Sequence, residues 1–379
     1  MQVSDRVDGV PPSGIRRFFE LAEEMDDLIS LGVGEPDFSA PWSARDAAIA
    51  SLERGETSYT ANRGKRELRE AIADHQAEKY GLGYDPDDEI IVTTGASEGL
   101  DLAMRALVDP GDTVAVAQPS YISYVPGVMF AGGEPLPVPT RAEDEFKLTR
   151  EVLEDAGAQE ADALVYCYPN NPTGATMTGD ELEAVAAFCR EHDLIVLADE
   201  IYAALTYEHD HTSIATLPGM RERTVVFNGF SKAYAMTGLR LGYAMGPAKA
   251  IGAMNRVHQY TMLSAPTTAQ HAALDALENC DDDVADMREQ YDRRRNFVLS
   301  RFSEMGIDCF EAAGAFYAFP ECPTDDAQAF AEDLIQEKKV AVVPGDVFGA
   351  GGSGHLRVSY ATGLDDLKTA LNRIEAFMD

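Results

Sequence analysis

An α/β fold, with helices covering a mostly parallel sheet, is predicted by two observations. The apolar runs Leu194-Ile195-Val196-Leu197-Ala198 and Thr224-Val225-Val226-Phe227 are continuous rather than alternating, so each strand is buried on both faces. Helical patterns stand between such runs. One of them opens with the capping box Thr178-Gly179-Asp180-Glu181, whose hydroxyl and carboxylate satisfy orphan N–H groups at a helix start. In chain order the elements are a strand over 89–94, a helix over 98–108, strands over 113–117 and 162–168, a helix from 178 to about 192, and the two strands above. They define a large α/β domain over 45–278. The remainder is built differently. A long charged amphipathic helix over 283–305 precedes strands over 315–319, 340–343 and 355–359, with helices near 325–338 and 364–377. That is a smaller α+β domain. The N-terminal segment, with a helix near 12–25, is too short to fold alone, so residues 1–44 are expected to join 279–379.

Composition narrows the function. The 379 residues carry 65 Asp and Glu against 31 Lys and Arg, a net charge of −34, and only 8 of the 31 bases are Lys. With 45% apolar residues the chain folds, and its acid load lies on the surface. A nucleic-acid binder needs a basic face to displace phosphate counterions, and anionic membranes repel such a surface. The acidity reads as adaptation to a salty cytoplasm, where screening removes self-repulsion. Five widely spaced cysteines without a CxxC pair indicate neither a disulfide framework nor a zinc site, and no other metal site is expected. His209-x-His211 reads as a solvated loop, and Arg293-Arg294-Arg295 as a salt-bridged helix face. No signal-like apolar segment opens the chain and no apolar run approaches 18 residues, so a cytoplasmic location is expected.

In doubly wound sheets, ligands bind beyond the carboxyl ends of the strands. Gly95-Ala96-Ser97-Glu98-Gly99 follows one strand. It is either a tight turn or a place where backbone N–H groups meet an anion at a helix N-terminus. It is neither GxGxxG nor a Walker loop, which weighs against a nicotinamide dehydrogenase. Tyr168-Pro169-Asn170-Asn171-Pro172-Thr173-Gly174 follows another strand, as an Asn-Pro turn or a rigid amide platform. Asp199, at the end of a buried strand, is either a helix cap or the partner of a cation, since an unpaired buried carboxylate is costly. Ser231-Lys232 stands in apolar and small surroundings within a chain that has mostly replaced Lys by Arg. Arg serves as a charge, but only Lys becomes a neutral nucleophilic amine.

Together these motifs resemble the class I/II (aspartate-type) aminotransferases, fold type I enzymes that depend on pyridoxal 5′-phosphate. The resemblance spans nearly the whole chain. It runs through Gly34-Glu35-Pro36-Asp37-Phe38, Tyr59-Thr60 to Gly64, Asn170 to Gly174, Asp199-Glu200-Ile201-Tyr202, Ser231-Lys232 with Arg240 eight residues on, and Leu356-Arg357-Val358-Ser359. It implies an α/β fold with a large cofactor domain and a smaller α+β domain. It also implies ping-pong transfer of an amino group between an L-amino acid (aspartate, alanine or an aromatic) and 2-oxoglutarate. The catalytic residues implied are Lys232, Asp199 and Tyr202. Lys232 bonds the cofactor aldehyde and shuttles a proton. Asp199 pairs with the ring nitrogen, keeping the ring an electron sink. Asn171 and Tyr202 bond the phenolate oxygen, and Tyr121 stacks on the ring. Gly95, Ala96, Ser97, Ser231 and Arg240 hold the phosphate. Arg357, with Asn171 and the Gly34 backbone, grips the substrate carboxylate. Tyr59 reaches the neighbouring subunit's cofactor, so a homodimer with shared active sites is implied. Two positions depart from the family pattern. Gly229 stands where many relatives carry a phosphate-binding Ser, and no second, side-chain-binding arginine is identifiable. A carbon–sulfur β-lyase on the same fold is the main rival. A cofactor-binding regulator is disfavoured by the family motif starting at Gly34 and by an intact Lys232.

Overall fold

The structure, a computed structural model, describes residues 3–12, 14 and 27–378. The helix expected near 12–25 falls mostly outside them. The strands are β1 (Ile29–Ser30), β2 (Ile90–Thr93), β3 (Thr113–Gln118), β4 (Glu134–Pro139), β5 (Ala163–Cys167), β6 (Ile195–Asp199), β7 (Thr224–Gly229), β8 (Gly242–Met245), β9 (Tyr317–Ala318), β10 (Val340–Ala341), β11 (Val343–Pro344) and β12 (Leu356–Ser359). Strands β2 to β8 build one seven-stranded sheet in the order β2-β8-β7-β6-β5-β3-β4. Only β8 runs against its neighbours. The continuous apolar runs work as expected. Val114, Val116, Val165 and Leu197 belong to one core layer, while Ala115, Leu164, Val196 and Ala198 belong to the other. Alternate residues of one strand thus feed helices on opposite faces.

Two strands of this sheet were not legible beforehand. β4 reads Glu-Pro-Leu-Pro-Val-Pro, and prolines argue against a strand. It survives because it is an edge. Glu134 N–H donates to Asp112, and Thr140 N–H to Gln118. The ladder therefore uses the even-numbered residues, and the prolines at 135, 137 and 139 face outward where no donor is needed. β8 is a buried four-residue strand, too short to announce itself by periodicity. The capping box is real: Thr178 N–H donates to Glu181 Oε2 at 2.7 Å and Thr178 Oγ1 accepts from Glu181 N–H.

The chain ends meet in two small sheets. β1 pairs in parallel with β10, and β11-β12-β9 form an antiparallel sheet. The expected strand over 340–343 is thus two strands in different sheets. The helices Ala327–Lys338 and Leu364–Met378 cover them, and the long helix Asp281–Glu304 runs beside them. Arg294, within the basic run of that helix, is no surface charge. It holds Asp37 with two bonds, 2.7 and 2.9 Å, and lies over the rings of Phe38 and Tyr291. Arg295 likewise turns inward, to Glu208 and the Ala312 carbonyl. The His211 side chain is also largely covered rather than solvated, 7% exposed, with Nε2 3.0 Å from Glu200 Oε2. Among the described residues no helix is long and apolar enough to cross a membrane.

Candidate active site

The carboxyl ends of β2, β5, β6 and β7 converge on a cavity of about 580 Å³. Of the thirteen expected site residues, eleven line it: Gly34, Ala96, Ser97, Tyr121, Asn171, Asp199, Tyr202, Ser231, Lys232, Arg240 and Arg357. Gly95 sits immediately beneath, and Tyr59 lies elsewhere on its own chain, 79% exposed.

Three glycines explain how one end of the cavity is shaped. The helix Gly95–Leu107 begins three residues earlier than its apolar pattern suggests, so Gly95, Ala96 and Ser97 form its first turn. A side chain on Gly242 of β8 would come within 2.4 Å of Ala96 N, and one on Gly229 within 2.8 Å of Gly242 Cα. Only bare backbone lets the helix start settle onto the sheet. That packing is also why Gly229 replaces a serine here. Gly95 adopts φ +75°, and a Cβ there would lie 2.8 Å from Arg240 Nη2. Arg240, itself left-handed at φ +53°, therefore brings its guanidinium against the helix start. Unpaired first-turn N–H groups, the positive end of the helix dipole and a guanidinium together form a cup for a phosphate.

At the other end is a cation for a second anion. Arg357 is buried between the rings of Tyr317 and Phe348, 4.8 and 4.7 Å from their centroids. Its Nη1 donates to Asn171 Oδ1 at 2.9 Å and Nη2 to the Gly32 carbonyl at 2.5 Å, while Nε has no partner. Burial pushes its pKa down, and a carboxylate would restore the lost solvation.

Lys232 lies between these ends. Its Nζ donates to the Gly34 carbonyl at 2.5 Å and sits 5.7 and 5.5 Å from the Tyr202 and Phe316 ring centroids. Burial, with the Arg357 cation, pushes the amine down to about 8, towards the neutral, nucleophilic form. Asp199 stands at the tip of β6 with no helix to cap. Its Oδ2 accepts from Tyr124 OH at 2.7 Å and Oδ1 from Ile201 N–H at 3.1 Å. Burial pushes its carboxyl up to about 6 against these bonds. A protonated ring nitrogen would be the cationic partner it lacks. Phosphate cup, nucleophilic amine and buried carboxylate are thus the donor set that pyridoxal phosphate requires, and the residues fit it.

Eight of the lining residues were not expected from the sequence, and two of them, Tyr124 and Tyr317, touch the central groups. Tyr124 fixes Asp199, and Tyr317 shares a 2.9 Å bond with Tyr202 OH while covering Arg357. Tyr124 opens the helix Tyr124–Ala131 one tight turn after Tyr121, and its nearness to Tyr121 in sequence was the available signal. Tyr317 has none, because it reaches the site from the small sheet. Among the described residues no His, Cys, Asp and Glu cluster is arranged to hold a metal.

Comparison with known proteins agrees. The profile of the family "Aminotransferase class I and II" matches residues 26–374. YugH of Bacillus subtilis, provisionally named an aminotransferase, is 50% identical over 378 residues, covering 99% of this chain and 98% of its own. The aromatic-amino-acid aminotransferase 2 of Thermococcus litoralis is 41% identical over 380 residues, with 99% and 98% covered. The solved structure of the Thermus thermophilus aspartate aminotransferase with maleate superposes with a TM-score of 0.93, at 39% identity and 99% coverage of both chains. The chain therefore belongs to the class I and II aminotransferases, and is a pyridoxal-phosphate-dependent transaminase of fold type I.

Proposed function

We propose that this transaminase works by ping-pong exchange with 2-oxoglutarate and glutamate as one substrate pair, and takes aromatic L-amino acids as its other donors. The observation that carries the reading is the half-satisfied, buried Arg357 at the same cavity as Lys232. It can grip the α-carboxylate shared by every amino and 2-oxo acid and present the α-carbon to the amine. The donor class follows from the wall beyond. A second cavity of about 660 Å³ shares Ser97, Leu100, Tyr121, Ile122 and Tyr124 with the first, and is lined further out by Met129, Phe130 and Phe348. Among the described residues, no Lys or Arg other than Lys232, Arg240 and Arg357 lines either cavity. That surface suits a ring better than a second carboxylate. The aromatic specificity of the Thermococcus relative supports the same reading. The Thermus aspartate enzyme keeps aspartate as the second candidate donor.

The chemistry divides among this chain's residues. When bound, pyridoxal phosphate supplies a carbonyl for the amine and a conjugated ring that accepts the electron pair left at Cα. The Gly95–Ser97 turn, Ser231 and Arg240 hold its phosphate. Asp199, fixed by Tyr124, holds the proton on the ring nitrogen. Asn171 and Tyr202 bond the ring oxygen, and Tyr121 covers the ring. Lys232 takes the proton from the substrate Cα and returns it during transfer. Arg357, with Asn171 and Gly34, orients the carboxylate.

Sharing of sites in a homodimer belongs to the same proposal. Exposed Tyr59, Tyr260, Met262 and Leu263 form one patch, tied by Asn62 Nδ2 to the Leu263 carbonyl at 2.7 Å and Thr267 Oγ1 to the Ser58 carbonyl at 2.8 Å. A second copy covering this patch would bring Tyr59 to the neighbouring site.

A panel of amino donors with 2-oxoglutarate, run in molar salt, tests the function. Tyrosine and phenylalanine are expected to give the highest kcat/KM, with parallel double-reciprocal plots. A preference for aspartate would overturn the donor class. Rapid pyruvate release from cystathionine without amino transfer would overturn the transferase assignment in favour of a β-lyase.

A further inference from the structure

Glu98 is out of place beside a phosphate cup. It follows Ser97 in the first turn of the helix Gly95–Leu107, where one anion is stabilised and a second would compete for the same N–H groups. Its carboxylate does not line the cavity. Oε2 turns back to accept the N–H of Thr94 at 2.5 Å, and Oε1 lies 2.7 Å from Nδ1 of His258, on the helix Ala248–Thr261. His258 is fully buried, and its Nε2 has no partner. A carboxylate that also takes the Thr94 N–H is the acceptor in this pair, so Nδ1 carries the donated hydrogen. These contacts pull the Glu98 carboxyl below its usual range in spite of burial, which keeps it an anion that must be held away from the cup.

We infer that His258 is a positioning residue for the phosphate cup, acting through Glu98. By fixing the carboxylate on the Thr94 N–H, it keeps Glu98 from swinging towards the first-turn N–H groups of Gly95, Ala96 and Ser97, which stay free for the cofactor phosphate. The inference rests on reading this turn and Arg240 as the phosphate cup.

Two conservative variants separate positioning from packing. In H258N the amide nitrogen falls near the place of Nδ1, so the bond to Glu98 is kept. In H258Q it falls near Nε2, so the bond is lost while a polar side chain still fills the site. Apoenzymes are titrated with inorganic phosphate and with pyridoxal phosphate by calorimetry, and the bound phosphate is observed by its ³¹P resonance. H258Q is expected to weaken both ligands about tenfold, the scale of one charge-assisted hydrogen bond, and to shift the resonance. H258N should stay within about threefold of wild type. E98A removes the competing carboxylate and should therefore weaken neither ligand, and adding H258Q to E98A should cost nothing further, because His258 acts only through Glu98. Undiminished phosphate binding by H258Q, equal losses in H258N and H258Q, or a loss on adding H258Q to E98A would each overturn the inference. A wild-type apoenzyme that binds neither ligand would instead overturn the cup itself.

Discussion

Lys232 shows how a residue acquires its chemistry from its surroundings. Its amine ionises near 8, against 10.5 in an ordinary lysine, because burial and the Arg357 cation disfavour its charge. Recombination of apoenzyme with pyridoxal phosphate needs the neutral amine, so its rate should climb with pH and level off above about 8. Arg357→Gln should move that midpoint upward, as read by stopped-flow absorbance; an unmoved midpoint would remove Arg357 as a cause. The stability linkage has a definite sign. Between about 8 and 10.5 the unfolded chain holds one more proton than the folded one, so the lysine's contribution to apoenzyme stability rises with pH across that interval. Lys232→Ala should leave a folded protein that still binds cofactor through its phosphate, with turnover reduced more than about 10⁴-fold, since covalent activation and proton transfer are lost together. Near-normal turnover would exclude Lys232 from the mechanism. This residue was legible because an unexchanged Lys in a Lys-poor chain needs an explanation. Tyr317 was not, because its sequence neighbourhood is ordinary and only the small sheet carries it to the site.

At the scale of elements, glycines and one ion pair position the site. The helix start lies on β8 because Gly242 and Gly229 have no side chains to hold it off. Gly95→Ala adds a Cβ at φ +75° that meets the Arg240 guanidinium, a conformation that costs about 1 kcal/mol and a contact that displaces the cation. Its cofactor dissociation constant should rise about tenfold or more, measured by fluorescence titration, while the fold persists. An unchanged constant would detach Gly95 and Arg240 from the phosphate. The Arg294–Asp37 pair ties the helix Asp281–Glu304 to the loop whose Gly34 carbonyl meets Lys232. Asp37→Asn weakens a half-buried, bidentate, charge-assisted contact, so stability should fall by about 2 kcal/mol. Looser carboxylate binding should raise KM for the amino acid more than it lowers kcat. A change in stability alone would reduce the pair to a structural tie. Motif order made the loop visible, but its partner was hidden in a basic run that looks like a surface face.

Over the whole molecule, charge governs the conditions of folding. Thirty-four net negative charges on one chain, doubled in the proposed dimer, repel one another in dilute buffer and are screened within about 3 Å at molar salt. The melting temperature is expected to rise steadily from low to molar potassium chloride, and the proposed dimer to dissociate at low salt in sedimentation velocity. A flat melting profile would separate the acidity from stability. The Tyr59 patch adds a second expectation at this scale. Mixing Lys232→Ala with Tyr59→Ala subunits should restore one site per hybrid dimer with both Tyr59 and Lys232 intact, visible as activity regained over the separate variants. No regain would place Tyr59 outside the neighbouring site.

What the sequence determined by itself was whatever is local or ordered along the chain. Continuous apolar runs announced buried parallel strands, the Thr178 box announced a helix start, and motifs in family order pointed to Lys232, Asp199 and Arg357, which line one cavity. Tertiary structure decided what depends on approach between distant segments. Proline-rich β4 became a strand because its outward edge needs no donors. Gly229 became glycine because β8 lies against it, and Arg294 became a clamp because Asp37 arrives from 257 residues away. Periodicity and motif spacing encode which face of an element is buried, but not which neighbour buries it; that is settled only when the sheet and the two chain ends close around the same cavity.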